Sequence, residues 1–162
     1  MVQFEVRLEK LQMMRTACVH AFSDAPEEDA GKKILAWAEA RGLLRKPAGV
    51  RLFGRNTYPT DKPEPHGYEY HLTVGPEVQA DGEVRIRRIP GGLYATVRFT
   101  DLANIREAWQ ALFAWVKDSG NVHVGWSREE HGWVDGFEEQ TNFLDGKPPA
   151  EWVFDLWAKL KE

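Results

Sequence analysis

One cysteine, Cys18, stands in the whole 162-residue chain. A lone thiol has no intrachain partner, so disulfide stapling and the cysteine-rich zinc folds are excluded, and a reducing compartment, the cytoplasm, is the expected setting. Nowhere do about 18 apolar residues follow one another, the length that a membrane-spanning helix needs. The opening Met-Val-Gln-Phe-Glu-Val-Arg lacks the apolar core of a signal peptide. The chain is therefore expected to be neither exported nor bound in a membrane. Excess positive charge is missing as well, since 21 Lys and Arg stand against 25 Asp and Glu for a formal net charge of −4. A protein held on nucleic acid by phosphate contacts needs a clustered positive field, so no direct nucleic-acid binding is expected. The short basic runs Arg41 to Arg51 and Arg85 to Arg88 read as solvated strand or loop faces.

Metal and nucleophile signatures are scarce too. His66, His71, His123 and His131 do not fall at a metal-ligand spacing, and there is no His-Glu-x-x-His. Cys18 and His20 lie two apart on a predicted strand and so share a face, yet such pairs arise by chance, and a free cysteine usually packs as a small hydrophobe. These residues predict no metal, no cofactor and no catalytic residue.

What is present is enough apolar material for one domain. Hydrophobic residues make up 43% of the chain, which at this length fills a single core. Seven tryptophans exceed what such a core needs, and an indole N–H is rarely buried completely, so some rings are expected to line a cavity.

The order of predicted elements repeats. The first pass runs as a strand over 12–22, a helix over 26–41, a strand over 50–55 and a strand over 66–74. The second runs as a strand over 91–99, a helix over 102–119, a strand over 137–143 and a strand over 151–160. In the second helix Leu102, Ile105, Trp109, Leu112, Phe113 and Val116 recur at spacings of three, four and seven, one stripe of a 3.6-residue period. Thr100 or Asp101 can cap its start, and Gly120 follows its last turn. The first helix has Pro26 in its opening turn and Glu27, Glu28 and Asp29 against the positive end of its dipole. Its stripe of Ala30, Ile34, Trp37 and Ala38 is weaker. On the 91–99 strand Leu93, Ala95, Val97 and Phe99 point one way while Tyr94, Thr96 and Arg98 point the other. Three prolines between Thr57 and Pro65 predict an extended loop. The fold class is therefore α+β, two tandem strand-helix-strand-strand repeats of antiparallel strands forming a ligand cleft, within one domain over 1–162 (repeats at about 4–76 and 85–160). Each repeat places a carboxylate beside aromatic residues on a strand. If Tyr68, Glu69, Trp109, Phe137 and Glu138 border that cleft, the ligand is flat, apolar and positively charged.

Several of these segments together carry a resemblance. The Tyr94-Ala95 strand after Pro90-Gly91-Gly92, the helix containing Trp109, Gly67-Tyr68-Glu69-Tyr70 after the proline-bearing loop, and the Phe137-Glu138-Glu139 strand are similar to the GyrI-like small-molecule-binding domain. That domain is also the effector-binding part of AraC-type and MerR-type multidrug-responsive regulators. The resemblance runs from about Phe4 to Leu160 and implies two repeats related by a pseudo-twofold. It implies an aromatic-lined cleft for amphipathic cations with a central buried glutamate, matching Glu138, with Glu139 as the neighbour one position on. Glu151 matches, less closely, an acidic residue at the start of the last strand in some relatives.

The candidate ligand-binding residues are Glu138, Tyr68, Glu69, Tyr70, Trp109, Phe113, Phe137, Glu139 and Glu151. Glu138 and Glu139 are adjacent on a strand, so only one of them faces the cleft. Trp109 fits core packing as well as ligand contact, and Trp126 and Trp133 fit a lid. The family's regulators carry a helix-turn-helix ahead of this module, which the 162 residues do not contain. Regulation would then need a DNA-binding partner chain, and a homodimer is the other association expected. Some GyrI-like proteins are hydrolases that open strained cyclopropane rings with a pocket tyrosine and glutamate, and the family name points to a gyrase-binding role. Reversible binding of a drug or xenobiotic is the principal reading, with these two as alternatives.

Overall fold

The computed structural model describes residues 3–45, 49–57, 66–124 and 136–162. In chain order the elements are β1 (Val6–Leu11), β2 (Met14–Ser23), α1 (Pro26–Ala40), β3 (Leu52–Thr57), β4 (His66–Thr73), β5 (Arg85–Ile89), β6 (Gly92–Thr100), α2 (Ile105–Asp118), β7 (Phe137–Gln140) and β8 (Val153–Lys159). They fall into two compact units. A continuous unit spans Met13–Ile89, and a split unit joins Met1–Gln12 to Pro90–Glu162.

The fold is α+β, and the strand-helix-strand-strand repeat is present in both units. In the continuous unit the sheet runs β3-β4-β2-β5, and in the split unit β7-β8-β6-β1, with every pairing antiparallel. Strand for strand, β3 corresponds to β7, β4 to β8 and β2 to β6. The outer strand differs in origin: β5 follows its repeat in sequence, while β1 precedes everything else. Both outer strands are rich in charge, Val-Arg-Leu-Glu-Lys-Leu and Arg-Ile-Arg-Arg-Ile. Such residues suit an outer strand, where charge discourages unwanted pairing.

Each helix covers one face of its own sheet. In α2, Ala108, Leu112 and Val116 recur every four residues and are buried against Ala95, Val97 and Phe99 of β6 and Phe154, Leu156 and Ala158 of β8. Leu102 and Asn104 bound a short 3-10 turn before α2, and the Asp101 carboxylate caps that turn by accepting from the Ala103 N–H. In α1 the buried line is Ala30, Ile34 and Ala38, small enough for the helix to lie close to the sheet. Its start carries Pro26 and three acidic residues in the first turn, and the Ser23 hydroxyl accepts from the Ala25 N–H. Because successive side chains on a strand alternate, each sheet has a second set of side chains pointing away from its helix. Those sets hold the chemistry.

Candidate functional site

In the split unit the face away from α2 is aromatic and acidic. Tyr94 and Thr96 of β6, Trp157 of β8 and Phe137 of β7 lie on it, since Thr96 pairs with Trp157 and Trp157 with Phe137. The Tyr94 ring meets Phe137 at 5.6 Å and Trp157 at 6.0 Å, both edge to face, and Phe137 and Trp157 are 6.4 Å apart at 27°. Glu139, two residues beyond Phe137, is 5% exposed, and its Oε1 accepts from Trp157 Nε1 at 3.1 Å. A carboxylate kept from water needs compensation by donors or cations. The Tyr94 hydroxyl donates to Pro90 O at 2.7 Å, and burial pushes its pKa up from the ordinary phenol range. Lys159 Nζ sits 5.9 Å from the Tyr94 ring centroid, so that ring already faces a cation. The Thr96 hydroxyl is buried and has no hydrogen-bond partner among the described residues.

Beside this cluster Arg98 binds Asp155 through two bonds of 2.8 and 2.9 Å. The Asp155 hydrogen bonds and charge, with a contribution from Glu139, raise the Arg98 pKa. Glu139, Asp155 and Arg98 thus stand side by side on β7, β8 and β6.

The continuous unit carries a different constellation on the corresponding face. Arg55 of β3 pairs with Glu69 of β4, donating from Nε at 2.6 Å, and His71 Nε2 lies 2.9 Å from the same carboxylate. His71 Nδ1 is 3.0 Å from Thr16 Oγ1, and its Nε2 is 3.7 Å from Cys18 Sγ. Burial pushes the Glu69 carboxyl up, but the bonds and charges of His71 and Arg55 outweigh it and hold its pKa at about 2. Burial lowers the pKa of His71 and of Arg55, with Glu69 opposing in both cases. The Cys18 thiol is pushed far up by burial and then by the Glu69 charge, so without a further partner it keeps its proton. A cavity of about 220 Å³ opens here, lined by Cys18, His20, Glu69, Gly82, Glu83, Arg85 and Arg87.

The registers align these two faces position by position. Glu69 opposes His20 on β2 and Arg55 on β3, and Asp155 opposes Arg98 on β6 and Glu139 on β7. Where the continuous unit has Arg55, the split unit has Glu139. The same place in the repeat carries opposite charge.

Of the residues predicted from sequence, Phe137, Glu139 and Glu69 lie on helix-free faces. Glu138 pairs with Leu156, a residue of the α2-side core, so alternation sets Glu139 and not Glu138 beside Phe137, Tyr94 and Trp157. Tyr68 and Tyr70 flank Glu69 and point to the α1 side, where Tyr70 approaches Gly31 and the Tyr68 hydroxyl fills the space a Gly54 side chain would take. Trp109 and Phe113 stack at 5.5 Å and 14° and pack on the α2 core. Glu151 is exposed, in a short 3-10 turn ahead of β8. Trp126, Trp133, His131 and the proline-bearing loop over 58–65 lie outside the described residues. Sequence reasoning passed over Trp157, Asp155, Arg55, His71 and Thr16 as site residues. Alternation had already placed Tyr94, Thr96 and Arg98 on one face, and Trp157 and Asp155 join them only through the β6–β8 register.

Comparison with known proteins bears on the same fold. The sequence model of the GyrI-like small-molecule-binding domain matches residues 4–161. No curated protein matches the chain. Among solved structures the C-terminal domain of EcmrR superposes with a TM-score of 0.72 at 15% identity, covering 99% of both chains. The EcmrR chain in a complex with DNA gives 0.71 at 16% identity, covering 98% of this chain and 58% of that one, so this chain spans little more than half its length. A hydrolase from Listeria innocua gives 0.69 at 10% identity, covering 97% and 92%. A protein solved bound to tetraphenylphosphonium gives 0.52 at 11% identity, covering 97% and 94%. At such identities the likeness is one of fold.

Proposed function

From the premise that the chain belongs to the GyrI-like small-molecule-binding family, we propose that it binds hydrophobic, cationic small molecules against the Tyr94, Phe137 and Trp157 rings, with Glu139 as the carboxylate that reads charge. The observation that carries this reading is the burial of the Glu139 carboxylate on one face with three aromatic rings. A carboxylate held away from water attracts a ligand that brings a positive charge more strongly than one in solvent does. Ring faces add cation-π attraction of roughly 0.5–2 kcal/mol each. The buried Thr96 hydroxyl offers a polar contact besides. Selectivity then rests on charge and flatness more than on a fixed pattern of hydrogen bonds, which makes the site permissive. The fold shared with a tetraphenylphosphonium-bound protein is consistent with this ligand class.

In this reading the chain is a sensor or sequestering protein for drugs and xenobiotics in the cytoplasm. A regulatory output would run through a DNA-binding partner chain or a homodimer, in keeping with the likeness to a domain of a DNA-bound regulator. Hydrolysis is the less favoured reading. Tyr94 and Glu139 do share a face, but burial holds the phenol proton tightly and its hydroxyl is spent on Pro90 O, which makes it a poor general acid at neutral pH. Fluorescence titration with a rhodamine and a thermal-shift series with tetraphenylphosphonium test the binding reading. Saturable binding of the cations supports it. Failure of every cation, with turnover of an electrophilic cyclopropane, would move the assignment to the hydrolase.

A further inference from the structure

The β2–β4 register of the continuous unit gathers three donors of different chemistry. Cys18 Sγ, His71 Nε2 and a Glu69 carboxylate oxygen all lie within 4.8 Å of one another, and all three residues are buried. We propose that they form a binding site for a thiophilic divalent cation of the zinc type, with a fourth coordination position open to the 220 Å³ cavity that Cys18 and Glu69 line.

The spacing of the donors fits. A tetrahedral ion about 2.3 Å from sulfur and about 2.0 Å from nitrogen sets those two atoms roughly 3.5 Å apart. Cys18 Sγ and His71 Nε2 are 3.7 Å apart. The 2.9 Å between His71 Nε2 and Glu69 Oε1 is shorter than the corresponding nitrogen–oxygen edge, so the carboxylate has to withdraw by about half an ångström. The donor set of one thiolate, one imidazole and one carboxylate is borderline-soft and suits zinc or cobalt over magnesium or calcium. Three protein ligands and an open position form the arrangement that leaves a metal reachable by a small molecule.

The surroundings supply what a metal-ligating histidine needs. Thr16 Oγ1, at 3.0 Å from His71 Nδ1, can accept the Nδ1 proton once Nε2 has become the ligand, which fixes the tautomer and the ring's direction. As the ion enters, the Sγ proton leaves to solvent and the single proton of the neutral imidazole sits on Nδ1 in place of Nε2. Arg55 also holds Glu69 through Oε1, which fixes the direction of that carboxylate beside the other two donors. The split unit has Thr96, Asp155 and Trp157 at the three matching positions, so the donor set belongs to one repeat alone.

The test is a titration of the reduced full-length chain with Co²⁺ alone, read by absorption, followed by displacement with Zn²⁺. The expected result is one equivalent per chain, tetrahedral ligand-field bands and a thiolate-to-cobalt charge-transfer band, all lost on adding zinc. Because Cys18 is the only cysteine, that band has one possible source and the wild-type spectrum decides even if a variant fails to fold. Cys18→Ser, checked for folding by circular dichroism, should abolish the band and weaken binding at least tenfold. Thr16→Val should keep the band and weaken binding about 10- to 100-fold. A wild-type chain that takes up no stoichiometric cobalt, or that binds it without the charge-transfer band, overturns the proposal. So does cobalt affinity unchanged in Cys18→Ser.

Discussion

Glu69 and Asp155 occupy the same position in the two units, each on the third strand of its repeat and each holding an arginine, but the arginine comes from opposite sides. Glu69 takes Arg55 from β3, whereas Asp155 takes Arg98 from β6. The β7 place that would match Arg55 is thereby released to Glu139. One exchange of partner thus puts a buried carboxylate in one repeat where the other has a buried guanidinium.

That difference sets the first expectation. Glu139→Gln removes the buried charge while keeping size and an acceptor for the Trp157 indole. Affinity for tetraphenylphosphonium or a rhodamine should fall by roughly 1.5–3 kcal/mol, the scale of a charge-assisted contact, while neutral aromatics change little. Parallel isothermal titrations of both ligand types measure it. Equal losses would mean that Glu139 shapes the pocket without reading charge.

The two ion pairs should also differ in what they contribute to stability. Glu69→Gln in metal-free protein takes the carboxylate from a guanidinium that cannot turn to water, because the Arg55 side chain is 5% exposed, and should cost about 3–5 kcal/mol. Asp155→Asn leaves an arginine whose side chain is 56% exposed and can turn to water, so its cost should be about 1 kcal/mol or less. Denaturant unfolding of the two variants checks the order. A reversed order would refute the contrast.

Gly136 sits at φ 141°, and a Cβ there would meet Trp157 O at 2.1 Å. Gly42, at φ 68°, has nothing within 4 Å. Gly42→Ala should therefore cost only the left-handed backbone penalty of about 1–2 kcal/mol, and Gly136→Ala clearly more, because it also forces β7 from β8. Thermal melts compare them. An equal loss for both would show that the contact with Trp157 relaxes freely.

With a formal net charge of −4, the chain by itself should not bind duplex DNA at about 0.15 M salt, where contacts made mainly to phosphate are weak. Fluorescence anisotropy with a labelled duplex measures this directly. Retained binding would remove the need for a DNA-binding partner.

Much of the fold was legible because its elements have strong periods. The α2 stripe and the alternation on β6 depend on local burial alone, so the sequence carries them. The outer strands β1 and β5 were missed because their apolar alternation is interrupted by Arg, Glu and Lys, which a strand at a sheet's margin tolerates. β7 was predicted to reach Phe143 but stops at Gln140, where Asn142 turns its side chain to the Val153 N–H and the Glu151 carbonyl. For the sites, Phe137 and Glu139 share a face by simple alternation, and that was readable from Phe137 alone. The meeting of Cys18 with Glu69 and His71 was not, since it depends on how β2 registers against β4 across fifty residues of intervening chain. Local pattern says which way a side chain points, and only pairing says what it meets.

The split unit encloses the continuous one in the chain, and this fixes an order of assembly. Val6 pairs with Val97, so β1 must wait until about three-fifths of these 162 residues have been synthesised. Met14 pairs with Ile89 near the two ends of the continuous unit. Once that unit has formed, the segments leading to β1 and β6 leave from neighbouring points, and the loop that the β1–β6 pair must close shrinks from about ninety residues to a handful. By the logarithmic dependence of closure entropy on length this saves roughly 2 kcal/mol. The inserted repeat thus acts as a template for the ends of its partner, and the slow phase of refolding should belong to the split unit.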